Sequence, residues 1–138
     1  MKIVLDTNIW ISGILWRGAP HRIIIAAEER KVEICASFEI LQELFGVLQR
    51  EKFSSCFKAS GIQLEDVCAQ VIRLCTVVKV NFAVDVVADD PEDNKFLACA
   101  SAALANVIIS GDQHLLRLKK FDDISIVTPA RFIKLLKE

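Results

Sequence analysis

The strongest constraint on this chain is a rhythm of short, unbroken apolar runs: Ile3-Val4-Leu5, Val32 to Ala36, Thr76 to Val80, Val107-Ile108-Ile109 and Ile124 to Val127. A strand that is apolar without alternation suits a sheet buried on both faces, and such sheets are mostly parallel. Parallel neighbours need long crossovers, and the stretches between these runs have helical spacing. The fold class expected is α/β, a three-layer α/β/α sandwich around a central parallel sheet of about five strands. Ligands of such sheets gather outside the carboxyl ends of the strands, where strand order reverses.

The intervening stretches carry their own start and stop signals. Asp6-Thr7-Asn8 reads as a turn that closes the first strand. Pro20 opens a helix to Arg30 with Ile23, Ile24, Ala26 and Ala27 on its apolar face. Ser37 is placed to cap a helix bearing Ile40, Leu41, Leu44, Val47 and Leu48. A short helix over 51–61 ends at Gly61, and another runs from Gln63 to Cys75. Asp90-Pro91 places an acid before a proline at a first helical position, and the helix it opens reaches about Ala105 on small residues. A short helix over Leu115 to Leu118 and a last one from Pro129 complete the reading.

The 138 residues fit one domain, and Lys+Arg at 17 against Asp+Glu at 18 leave a formal charge of −1. A nucleic acid must then be held by a local patch or through metal ions, not by bulk charge. The longest nearly apolar stretch, Leu97 to Ile109, contains Ser101 and Asn106 and is too short to span a bilayer. A soluble, cytoplasmic protein with no membrane partner is expected. The five cysteines are odd in number and form no C-x-x-C pair, so they read as reduced and structural.

Four carboxylates fall where a core or a strand end should be. Asp6 follows the first strand and Asp112 the fourth, which places both on the carboxyl edge; each could instead serve only a turn or a helix cap. Glu43 shares a helix face with Ile40 and Val47. A carboxylate there is costly unless it is paired, protonated, metal-bound, or at the margin of the stripe. Asp93 could complete a capping arrangement, but it also starts a stripe with Leu97, Ala100 and Leu104 that aims it inward. The nearby Asp85, Asp89, Asp90 and Glu92 read as a solvated loop and helix start. Converging carboxylates repel, and a divalent cation removes the conflict; oxygen-only ligands favour Mg²⁺ or Mn²⁺ over zinc.

These segments resemble a known family. Met-Lys-Ile-Val-Leu-Asp6-Thr7-Asn8, Glu43 after an Ala-Ser strand end, Asp89-Asp90-Pro91-Glu92-Asp93-Asn94-Lys95-Phe96-Leu97 and Ile108-Ile109-Ser110-Gly111-Asp112 look like a PIN domain, nearest to the VapC-type toxins of prokaryotic toxin–antitoxin systems. The resemblance covers essentially the whole chain. It implies a metal-dependent ribonuclease whose metal-binding and catalytic acids are Asp6, Glu43, Asp93 and Asp112. Thr7, Asn8 and Ser110 match polar positions that support the first-strand acid or the metal's water shell. It further implies hydrolysis of RNA to 5′-phosphate and 3′-hydroxyl ends with one or two Mg²⁺ or Mn²⁺, a cognate antitoxin, and a homodimer. The sequence departs from the family at Gln113-His114, where many relatives carry a further Asp, and at Ala98, where many carry Glu.

An acidic pocket needs flanking cations to accept a polyanion. Arg17, Arg22 and Lys95 are the RNA-binding candidates, with Lys119 and Lys120 behind them; solubility is the plainer role for each. Trp10 and Trp16 could stack bases or simply pack. Among competing classes, a Mg-binding receiver-like domain wants a lysine at the fifth strand, where Ile126-Val127-Thr128-Pro129 has none. A dehalogenase-type phosphatase wants a second acid where Asn8 stands. A PIN-like scaffold that binds RNA or protein without cutting is the remaining alternative.

Overall fold

In the computed structural model, which describes residues 1–81 and 91–137, six strands form one sheet in the order β3-β2-β1-β4-β6-β5. The strands are β1 (Lys2–Leu5), β2 (Glu33–Ser37), β3 (Cys75–Val78), β4 (Val107–Ile109), β5 (Lys120–Phe121) and β6 (Ile124–Val127). All neighbours pair in parallel except β5, which pairs antiparallel with β6. The expected parallel α/β sheet is therefore present, with a two-residue antiparallel edge added to the five expected strands.

The helices are α1 (Thr7–Leu15), α2 (Ala19–Glu28), α3 (Phe38–Leu48), α4 (Glu51–Ser60), α5 (Leu64–Leu74), α6 (Asn94–Ala103), α7 (Gln113–Leu116) and α8 (Pro129–Lys137). From β1 the chain winds outward through β2 to β3, then returns to β4 on the other side of β1. Right-handed crossovers in opposite directions put helices on opposite faces. Accordingly α6 packs across β1, β2, β3 and β4, while α2 packs with α1 and α8. The core follows from this: Ile3, Val4, Leu5, Ile34, Ile108 and Ile109 are fully buried between the layers. The reversal of strand order lies between β1 and β4, whose register pairs Leu5 with Ile109.

Local signals act largely as expected. Ser37 accepts from the Ile40 N–H at 3.2 Å and caps α3. Gly61 ends α4 at φ 71, a left-handed turn that glycine enters without strain. Two elements depart from the sequence reading. Asp6-Thr7-Asn8 is not a simple turn, because Asp6 caps a full helix, α1, through the Ile9 N–H at 2.9 Å. The segment after Asp90 begins as a short 3-10 turn over Pro91–Asp93 before α6. The Asp90 cap and the loop acids Asp85, Asp89 and Asp90 lie outside the described residues.

Among the described residues no helix is long and apolar enough to cross a membrane. The five cysteines are free, Cys35 and Cys99 fully buried, and burial pushes the Cys99 thiol up to about 12. That suits a packing role and not a reactive one.

Gly13 marks the closest approach of α1 to α2. A Cβ there would lie 2.7 Å from Ile24 Cγ1 and 2.9 Å from the Pro20 carbonyl oxygen. Gly46, in α3, has nothing within 4 Å of the equivalent point. Gly13→Ala is expected to lower unfolding stability by about 1–3 kcal/mol through overpacking. Gly46→Ala is expected to raise it by about 0.5–1 kcal/mol through helix propensity. Urea midpoints of the two variants read the contrast, and shifts of the same sign would refute the close packing.

Candidate functional site

Asp6 emerges from the carboxyl end of the central strand, and its N–H donates to the Ile109 carbonyl at 3.1 Å, which ties it to the end of β4. Its carboxylate is almost fully buried and takes the Ile9 N–H on Oδ1, the Ser110 hydroxyl on Oδ2, and the Gly111 N–H on Oδ2 at 3.3 Å. Burial pushes the Asp6 carboxyl above its ordinary value of 3.8, and the charge of Asp112 adds to the rise; these hydrogen bonds only partly oppose it.

Ser110 joins two of the acids. While donating to Asp6, its hydroxyl accepts from the Asp112 N–H at 2.9 Å. Asp112 also caps α7, taking the His114 N–H on Oδ1 at 3.0 Å. Partial burial would raise the Asp112 carboxyl, but a hydrogen bond with the Asp93 side chain, the His114 N–H and the His114 ring together hold it below its ordinary value. The Asp93 and Asp112 carboxyls therefore lie close together, on the edge that also bears Asp6.

Asp93 is buried at the start of α6, so the inward reading of this residue is met, while the capping arrangement with Asp90 falls outside the described residues. Its stripe runs through Leu97 and Ala100, both fully buried, but not Leu104, which is 82% exposed at the end of the helix. For Asp6 and Asp112 the cap and the site coincide: each holds a helix start and also faces the other acids.

Glu43 is placed differently. It sits half-exposed on α3, at the margin of the apolar stripe. Oε2 accepts from the Thr7 hydroxyl, and Oε1 lies 3.2 Å from Lys95 Nζ. Lys95, expected at the mouth of the pocket as an RNA-binding cation, is instead turned inward with a side chain only 8% exposed. The sequence offered no sign of this pairing, because its partners come from α3 and α6. Arg17, Arg22, Lys119 and Lys120 are exposed, as is Asn8. Trp10 is fully buried and serves packing, whereas Trp16 is about half exposed.

Asp6, Asp93 and Asp112 are therefore linked one to the next, whereas Glu43 is held by Thr7 and Lys95, and the four do not form one closed shell. Among the described residues, no three acidic, histidine or cysteine side chains already converge tightly enough to surround an ion. The donor chemistry nonetheless fits a hard divalent cation, because every candidate donor is a carboxylate or hydroxyl oxygen.

The raised Asp6 carboxyl has a consequence for stability. A folded-state value above the unfolded one stabilises the fold below the ordinary 3.8 and is lost as pH rises through the folded value. In chelator, stability of the wild type is expected to fall as pH rises from the ordinary carboxylate value of 3.8 toward neutrality, more steeply than that of Asp6→Asn, which cannot ionise. Urea unfolding across that range reads the difference, and parallel profiles would refute a buried, destabilised carboxylate.

The structure is similar to a chain of the crystal structure of VapBC2 from Rickettsia felis bound to a DNA fragment from their promoter, with a TM-score of 0.59 at 14% identity, covering 91% of this chain and 97% of that one. At that identity the likeness concerns the fold. No curated protein matches the sequence. The PIN domain profile matches residues 2–114, a span that runs from β1 through Asp112. The chain belongs to the PIN domain family.

Proposed function

We propose that this PIN domain is a metal-dependent endoribonuclease, the toxin of a toxin–antitoxin pair, with Asp6, Asp93 and Asp112 as its cation-binding acids. The observation that carries the reading is the linkage of Asp6 to Asp112 through the Ser110 hydroxyl, with the Asp93 carboxyl close to that of Asp112, at the switch point between β1 and β4. Two buried carboxylates, Asp6 and Asp93, beside a partly buried third at the place where α/β sheets bind ligands are costly as architecture alone.

Mg²⁺ or Mn²⁺ bound there supplies Lewis-acid charge that activates water and offsets the charge of a phosphodiester. The residues of the chain do the rest. The Ser110 hydroxyl and the Gly111 N–H occupy Asp6 Oδ2 and the Ile9 N–H takes one site of Oδ1, which leaves the carboxylate one acceptor site, on Oδ1, for a cation. The His114 N–H takes one site of Asp112 Oδ1. Exposed Arg17 and Arg22, on the segment that follows Asp6, offer positive charge to the RNA backbone. An antitoxin partner is supported by the VapBC2 complex among the similar structures. A homodimer and a cytoplasmic site of action complete the proposal, as the family resemblance implies.

End-labelled single-stranded RNA incubated with Mg²⁺, Mn²⁺ or EDTA tests it. Cleavage is expected only with metal, and Asp6→Asn and Asp112→Asn are each expected to slow it by about a hundredfold or more, as removal of a cation ligand should. Equal cleavage by the variants would assign the activity to a contaminant. Tight metal binding with no cleavage of any RNA would leave the non-cutting scaffold in place of the nuclease.

A further inference from the structure

Lys95 is held like a built part and not like a surface lysine. Its ammonium lies 3.2 Å from Glu43 Oε1, 2.6 Å from the Glu92 carbonyl oxygen and 3.5 Å from Glu92 Oε2. Those three acceptors match the three N–H bonds of an ammonium. The Phe96 ring, 5.1 Å from Nζ, covers another side. Glu43 is equally committed, with one oxygen on Lys95 and the other on the Thr7 hydroxyl. A second divalent ion at Glu43 would have to displace the ammonium or sit beside it. Displacement strands a buried charge, and close approach sets cation against cation.

We propose that Lys95 is a resident counter-ion of the acidic cluster: it neutralises Glu43 in place of a second divalent cation, so that the site takes one Mg²⁺ or Mn²⁺ through its aspartates, with Glu43 outside the coordination of that ion. Lys95 is then a positioning residue, and Glu43 is its anchor. This rests on the cation-binding reading above, and it revises one part of the expectation drawn from the resemblance, the inclusion of Glu43 among the metal ligands.

Mn²⁺ binding followed by electron paramagnetic resonance and calorimetry, with no RNA present, tests the proposal. The wild type is expected to bind one Mn²⁺, Lys95→Arg to keep one because it keeps the charge, and Lys95→Met to bind two. Glu43→Gln is expected to hold its single Mn²⁺ within about threefold of wild-type affinity, whereas Asp112→Asn loses at least tenfold, on the order of 1.4 kcal/mol. Circular dichroism and melting curves verify that each variant is folded. If Lys95→Met does not fold, the wild-type stoichiometry and the Glu43→Gln affinity decide. Two ions in the wild type, one ion in folded Lys95→Met, or a loss in Glu43→Gln matching that in Asp112→Asn would each overturn the role of Lys95 while leaving the cation site standing. No Mn²⁺ bound by the wild type would overturn both.

Discussion

Placing the Asp6 carboxylate in the interior at the end of the central strand is the constraint around which the neighbouring structure is organised. A buried carboxylate needs donors, and here they come from three directions: the start of α1, the Ser110 hydroxyl and the Gly111 N–H. Meeting that need fixes the entry of α1 and the exit of β4 relative to β1. The same contacts bring Asp112 into line, since Ser110 also receives its N–H. Fold and site share one set of hydrogen bonds at this edge, and a change in either disturbs the other.

The parts that were legible in the sequence are those decided by neighbouring residues. The strand runs, the Ser37 cap, the proline at the start of α2 and the Gly61 stop all act within a few positions, and each stands where the sequence indicates. The α1 helix was not legible because Ile9, Ile11 and Ile14 favour strands over helices. Burial of Trp10 and Ile11, with the Asp6 cap, overrides that preference. The two-residue β5 is too short and too polar to announce itself, and it exists only because β6 offers it an edge.

The site divides along the same line. Asp6 and Asp112 could be placed on one edge because each directly follows a strand, and Asp93 because its stripe points inward. Glu43 could not be resolved, since its position depends on Lys95 and Thr7, residues remote from it in the chain. Helical spacing put it near the core, and the half-exposed margin with an ion pair is where it lies. Spacing alone says how close a side chain comes to the interior, while the charge it meets there is a tertiary matter.

The bond between Ser110 and Asp6 spans 104 positions of sequence. During synthesis Asp6 leaves the ribosome early, but the groups that orient and accompany it belong to the far side of the sheet. No amino-terminal fragment that stops before β4 can assemble the cluster, however well β1, α1 and α2 fold. The chemistry of the chain is thereby coupled to the last steps of its own folding, and a truncated or stalled product carries the first acid without the setting that gives it meaning.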